Sequence, residues 1–178
     1  MIEIIVGTNR PAANSRKVAA QILEIYKQQG AAAQLLDLAA LPQEIFSPAS
    51  YANKPAAFAP LAKRVLDAKG LHVITPEYNG SVPGVLKYFI DMLKFPESFE
   101  SKPVAFTGVS AGMWGALRPI EQLQGIFGYR NAFIYPVRVF IPRIGDELAE
   151  NGRLKSIDIV ARLEEQARGF ADFVKRIG

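Results

Sequence analysis

The chain has no cysteine and one histidine, His72, among its 178 residues. The first absence excludes disulfides, thiolate metal sites and thiol nucleophiles, and makes an intracellular setting the expectation. The second leaves too few imidazoles for a His-rich metal centre, and His72 lacks the neighbours of a Ser-His-Asp triad. Long apolar runs are missing as well. No stretch approaches the length that crosses a bilayer. The opening run Ile2–Val6 has no basic leader and is too short for a signal peptide. A cytoplasmic protein with no membrane span is therefore expected. Charge of one sign is also scarce. The net charge of +4 suits an anionic small ligand, but is too small to argue for nucleic acid without a clustered basic face.

What the chain does have is alternation. Hydrophobic residues make up 49% of it and charged ones 21%, enough for one domain over residues 1–178 with a full core. Ile2 to Val6 is a β-branched run ending at Gly7, which reads as a buried strand. Val18, Ile22 and Ile25 form a helical stripe that stops at Gly30. Ala33 to Leu38 is a weaker strand candidate, because alanine and leucine do not favour strands.

Residues 40–60 carry Pro42, Pro48, Pro55 and Pro60 with no sustained period, and read as a long connection. Leu61, Val65 and Ala68 then mark a short helix, and Leu71 to Thr75 a strand stopped by Pro76. Val85, Phe89, Ile90 and Leu93 predict a helix behind Pro83. Val104 to Val109 is a fourth strand, Leu117 to Phe127 a helix, and Val137 to Ile141 a fifth strand. In the last helix Val160, Leu163, Ala167, Phe170, Val174 and Ile177 form a stripe, read as packing against the sheet rather than as a coiled-coil seam. These elements predict an α/β fold: a three-layer doubly wound sandwich around a five-stranded parallel sheet. Ligands of such sheets bind at the carboxyl ends of the strands, near the point where strand order reverses.

Three loops meet that condition. The first, Gly7 to Arg16, combines Thr8, Arg10, Asn14, Ser15 and Arg16 with free amides at a helix start. This is the donor set a phosphate monoester needs. It contains neither a dinucleotide fingerprint nor a Walker loop, and a plain reading of Asn14 or Ser15 as a helix cap stays open. The second, Thr75 to Gly84, has two prolines and two glycines, with Tyr78 offering a flat face and Asn79 an amide to a planar heterocycle; a stiff turn is the alternative. The third, Gly108 to Arg118, is Gly-rich but also carries Met113 and Trp114. For Trp114, ordinary interface or core packing is favoured over a role beside a ligand. His72, among apolar residues on a strand, reads as structural.

The second loop, Pro76-Glu77-Tyr78-Asn79-Gly80-Ser81-Val82-Pro83-Gly84-Val85-Leu86-Lys87, closely resembles the signature of the NADPH-dependent FMN reductases, flavodoxin-like quinone, azo and flavin reductases. Gly7, Thr8 and Arg10 also match that family's phosphate loop. Ala13 stands where the family usually has serine, and Ser15 where it often has asparagine. The resemblance implies a flavodoxin-like fold, bound FMN, NADPH or NADH as hydride donor, a small-molecule electron acceptor, and a homodimer or homotetramer. It implies that Thr8, Arg10, Asn14 and Ser15 hold the FMN phosphate. Pro76, Glu77, Tyr78, Asn79 and Gly80 would border the isoalloxazine, and Ser110 and Gly112 its other edge. Arg10, Arg16 or Arg118 would meet the extra phosphate of NADPH. No protein residue is expected to act catalytically, since the flavin carries the redox chemistry. A flavodoxin-like carrier fed by a protein partner, and a non-catalytic protein that has lost flavin, are the rival readings.

Overall fold

The computed structural model describes residues 1–177. Its core is a five-stranded sheet of β1 (Ile2–Val6), β2 (Ala33–Asp37), β3 (Gly70–Pro76), β4 (Pro103–Val109) and β5 (Phe133–Ile141). The strands are all parallel, in the order β2-β1-β3-β4-β5, the flavodoxin-like arrangement. Strands β1, β3 and β4 are buried along their whole length, as strands covered on both faces must be.

Helices cover each face, and each encloses its own apolar cluster. On one side α1 (Asn14–Gln28) and α6 (Ile157–Ile177) pack Val18, Ile22, Leu163 and Phe170 against Ile2, Ile4 and Val6. On the other, α2 (Ala59–Asp67), α3 (Gly84–Met92) and α4 (Leu117–Tyr129) pack Val65, Phe89, Leu123 and Phe127 against Ile5, Val73 and Phe106. The stripe on α6 thus faces the sheet. Leu163, Ala167, Phe170 and Val174 are buried, while Ile177 is exposed.

Glu3 and His72 are among the polar groups buried in this frame with partners. Glu3, 2% exposed, lies 2.6 Å from Arg64 Nη2, which offsets the cost of a dry carboxylate. His72 is fully buried. Its Nε2 lies 2.9 Å from Thr107 Oγ1, and Thr107 donates to Gln166 Oε1. Thr107 must therefore accept from Nε2–H, which leaves Nδ1 to accept from Tyr26 Oη at 2.9 Å. Burial pushes this imidazole down to about 3, so it stays neutral and structural.

Some boundaries differ from those expected. Residues 40–60 are not featureless: short 3-10 turns span Leu38–Ala40, Gln43–Phe46, Pro48–Tyr51 and Ala56–Phe58. They bury Ile45 and Phe58 against α3 and β-sheet residues. The fifth strand begins at Phe133 rather than Val137. Sequence reading missed its first half because Pro136 interrupts it, and the pairing with β4 is irregular there, stepping from Val104–Ile134 to Phe106–Arg138. Gln166 Nε2 donates to the Val137 carbonyl beside that irregularity. A short α5 (Ile144–Glu147) follows β5, too brief for a periodic signal.

Candidate functional site

The loops after β1, β3, β4 and β5 meet at the carboxyl edge of the sheet, where β1 lies between β2 and β3. They enclose a cleft of about 380 Å³, within the usual range for small-ligand sites. A larger depression of about 780 Å³ lies between α3 and α4, lined by Val82, Ile90, Ile126 and Tyr129 among others. It is mainly apolar. The smaller cleft is the one with anion-binding chemistry.

Each of the four loops contains a non-glycine residue in the left-handed region: Ala12 (φ 54°), Asn79 (φ 51°), Ala116 (φ 65°) and Arg143 (φ 46°). Such conformations cost about 1–3 kcal/mol each and persist where the surroundings enforce them. Gly108 shows that enforcement. A Cβ there would lie 2.2 Å from the Gly115 carbonyl oxygen, so the third loop folds back directly onto its own strand.

The first loop supplies the strongest anion-binding features. Arg10, Asn14 and Ser15 line the cleft. Helix α1 is preceded by Ala13, whose methyl cannot cap it, so the helix-start amides have no side-chain acceptor. The plain reading of Asn14 or Ser15 as cap is thus excluded. Ser15 Oγ is buried and lacks any hydrogen-bond partner among the described residues. A buried hydroxyl left unpaired at a helix N-terminus is suited to an anionic oxygen. An FMN phosphate fits this donor set.

Thr8 and Arg16 serve differently from the expectation. Thr8 is buried behind the cleft; its Oγ1 accepts from the Arg10 N–H at 3.2 Å and lies 2.8 Å from Tyr78 Oη. Arg16 is drawn to Asp37 at the end of β2, at 2.5 Å, and does not line the cleft.

In the second loop Pro76, Glu77 and Tyr78 line the cleft. Asn79 and Gly80 form the tip of a two-residue turn outside it. Tyr78 and Ser81 exchange both backbone hydrogen bonds at 3.0 Å, and positive φ at both central residues is what an Asn-Gly turn of this type provides. Glu77 Oε1 accepts from Arg118 Nη1 at 3.1 Å. In the third loop Ser110 lines the cleft, and its Oγ donates to the Gly112 carbonyl. Gly112 itself stands outside, also accepting from the Arg143 N–H at 3.0 Å.

Core packing for Trp114 is overturned: it is 55% exposed and Met113 61%, because the fold-back onto Gly108 leaves no core for them to enter. Sequence reading named no role for Pro11, Ala12, Val109 or Ala111, which also line the cleft and sit within the loops already singled out. Ile144, another lining residue, was missed altogether. It follows left-handed Arg143, and nothing in a single apolar residue after a strand marks it. Among the described residues no cluster of His, Asp and Glu is arranged to hold a metal, and no helix is long and apolar enough to cross a membrane.

Comparison with known proteins adds to this geometry. The profile of the family described as NADPH-dependent FMN reductase matches residues 1–145. A 2-hydroxy-1,4-benzoquinone reductase of Burkholderia sp is 25% identical over 178 residues, covering 98% of this chain and 96% of that protein. A quinone reductase of Escherichia coli (strain K12) is 31% identical over 127 residues, 69% of this chain and 68% of its own. Among solved structures, the Paracoccus denitrificans flavoenzyme FerB, an NAD(P)H:(acceptor) oxidoreductase, superposes with a TM-score of 0.81 at 22% identity, covering 99% of this chain and 98% of its own.

Proposed function

Because this chain belongs to the NADPH-dependent FMN reductase family, we propose that its four-loop cleft is the seat of FMN, over one flavin-binding domain of residues 1–178. The protein is an FMN-dependent NAD(P)H oxidoreductase. FMN, when bound, supplies the hydride chemistry. The chain binds and orients it and sets the electrostatics around it.

The observation that carries the placement is Ser15: a buried, unpartnered hydroxyl at an uncapped helix start that lines the cleft. In this reading Arg10, Asn14 and Ser15 hold the phosphate through side-chain donors, a positive charge and helix amides. Pro76, Glu77 and Tyr78 border the flat ring system, with Asn79 and Gly80 shaping the turn beside it. Ser110, braced by Gly112, takes the other edge. Thr8 supports from behind, and Arg16 steadies the first helix against Asp37.

The acceptor is a small molecule of the quinone, azo or flavin type, and the relatives that reduce quinones support that class. The chain works in the cytoplasm as a homodimer or homotetramer. Exposed Met113, Trp114 and Tyr129 support self-association, since large exposed apolar groups favour burial against a partner.

The test is an absorption spectrum after FMN addition and desalting, followed by anaerobic NADPH and, separately, NADH. Retained flavin bands that bleach with either nicotinamide are expected. Protein that retains no flavin, or flavin that neither nicotinamide bleaches, would overturn the reading.

A further inference from the structure

The loop that carries Glu77 is held from outside the cleft by one face of α4. Arg118 Nη1 donates to Glu77 Oε1 at 3.1 Å. Its stem passes beside Gly80, where an added Cβ would lie 4.0 Å from Arg118 Cδ. One turn along the helix, Gln122 Oε1 accepts from Ser81 Oγ at 2.8 Å and from the Val82 N–H at 3.2 Å. Positions 118 and 122 are four apart, so both side chains leave the same face of α4. The tight turn at Asn79-Gly80 is thereby gripped on both flanks.

The two ends of the ion pair stand in different settings. The Glu77 side chain is 13% exposed and lines the cleft, whereas that of Arg118 is 57% exposed and is not among the lining residues. A carboxylate this dry is costly unless paired. Left unpaired, it would also repel a phosphate-bearing cofactor whose ring gains negative charge on reduction. Arg118 relieves both effects from outside the cleft.

We infer that Arg118 is a positioning residue for the cofactor loop: it neutralises Glu77 and, with Gln122, holds residues 77–82 in place before the cofactor arrives. This rests on the assignment of the cleft to FMN. It also gives Arg118 a task other than meeting the extra phosphate of NADPH. One edge of the guanidinium is already donated to a carboxylate.

The experiment is a titration of flavin-free protein with FMN, followed by quenching of flavin fluorescence, with folding checked by circular dichroism. R118A should weaken binding about ten-fold, the scale of one charge-assisted pair, and R118K should recover part of the loss. Adding E77Q to R118A should recover most of it, because no unpaired carboxylate then remains. Hydrogen exchange on the flavin-free proteins reads the grip without the cofactor. R118A should speed exchange at the Tyr78, Ser81 and Val82 amides and leave β3 unchanged. An R118A loss that persists in the double variant, or unaltered exchange across 77–82, overturns the inference. Wild-type protein that takes up no FMN would sink the cleft assignment instead, and the exchange data would still decide whether α4 holds the loop.

Discussion

Tyr78 Oη lies 2.8 Å from Thr8 Oγ1, so the loop after β3 is fastened to the loop after β1 across 70 residues of sequence. Both loops border one cleft. The two sides of the cleft are therefore not independent, and a change in one should be felt in the other.

Replacing Tyr78 by Phe removes that tie and keeps the flat ring. One hydrogen bond of this kind contributes about 1 kcal/mol, so FMN should bind about five-fold more weakly. A fluorescence titration reads this, and unchanged affinity would show that the two loops hold their positions separately.

Ser15 yields a prediction with opposite signs in two states. In the flavin-free protein its hydroxyl is buried without a partner, so Ser15→Ala should leave stability unchanged or raise it by about 1 kcal/mol. The same variant should lose FMN affinity roughly ten-fold through one missing charge-assisted bond. Urea unfolding without flavin, set beside FMN titration, separates the two effects. A variant less stable without flavin would mean that Ser15 serves the fold rather than a ligand.

His72 makes stability depend on pH. Its folded value is lowered to about 3, mainly by burial, from an ordinary value of 6.5. As pH falls below 6.5 the unfolded chain takes up a proton that the folded chain refuses. Stability is therefore fully present above about 6.5 and is lost progressively down to about 3. Between pH 7 and pH 5 the loss should be about 2 kcal/mol. Urea unfolding of the wild type at the two pH values, compared with His72→Gln, measures it. The variant should show a dependence flatter by that amount.

Gly108→Ala should be strongly destabilising. Its Cβ would fall 2.2 Å from the Gly115 carbonyl and 2.9 Å from Ile120 Cδ1, and the first of these is backbone that cannot move aside cheaply. A loss of about 2–3 kcal/mol is expected from such overpacking. Thermal unfolding would register it as a drop of several degrees.

Most strands and helices were legible in the sequence because burial on both sheet faces writes short, mainly apolar runs, and the covering helices write stripes. Val104–Val109 and the α6 stripe show this most plainly. The start of β5 was not legible, since Pro136 is a strand-breaking residue by local rules and is tolerated here only beside an irregular pairing at the sheet edge. For the site, the loops were legible and the aim of single side chains was not. Ser15 and Thr8 are both hydroxyls of the first loop, yet one lines the cleft unpartnered and the other ties loops together behind it. Arg16 and Arg10 are likewise the same residue type, and the difference between them is Asp37, at the end of a separate strand. Such choices depend on partners distant in sequence, which residue type and spacing do not specify.

The irregular start of β5 has a consequence for how copies of this chain can meet. An outer strand normally offers a row of free peptide groups on which another chain can build. Here Pro136 has no N–H to offer. At the opposite border, the Leu35 carbonyl is taken by Arg64 at 2.6 Å. Each margin of the sheet is thus interrupted at one backbone position, which works against runaway stacking of strands into fibres.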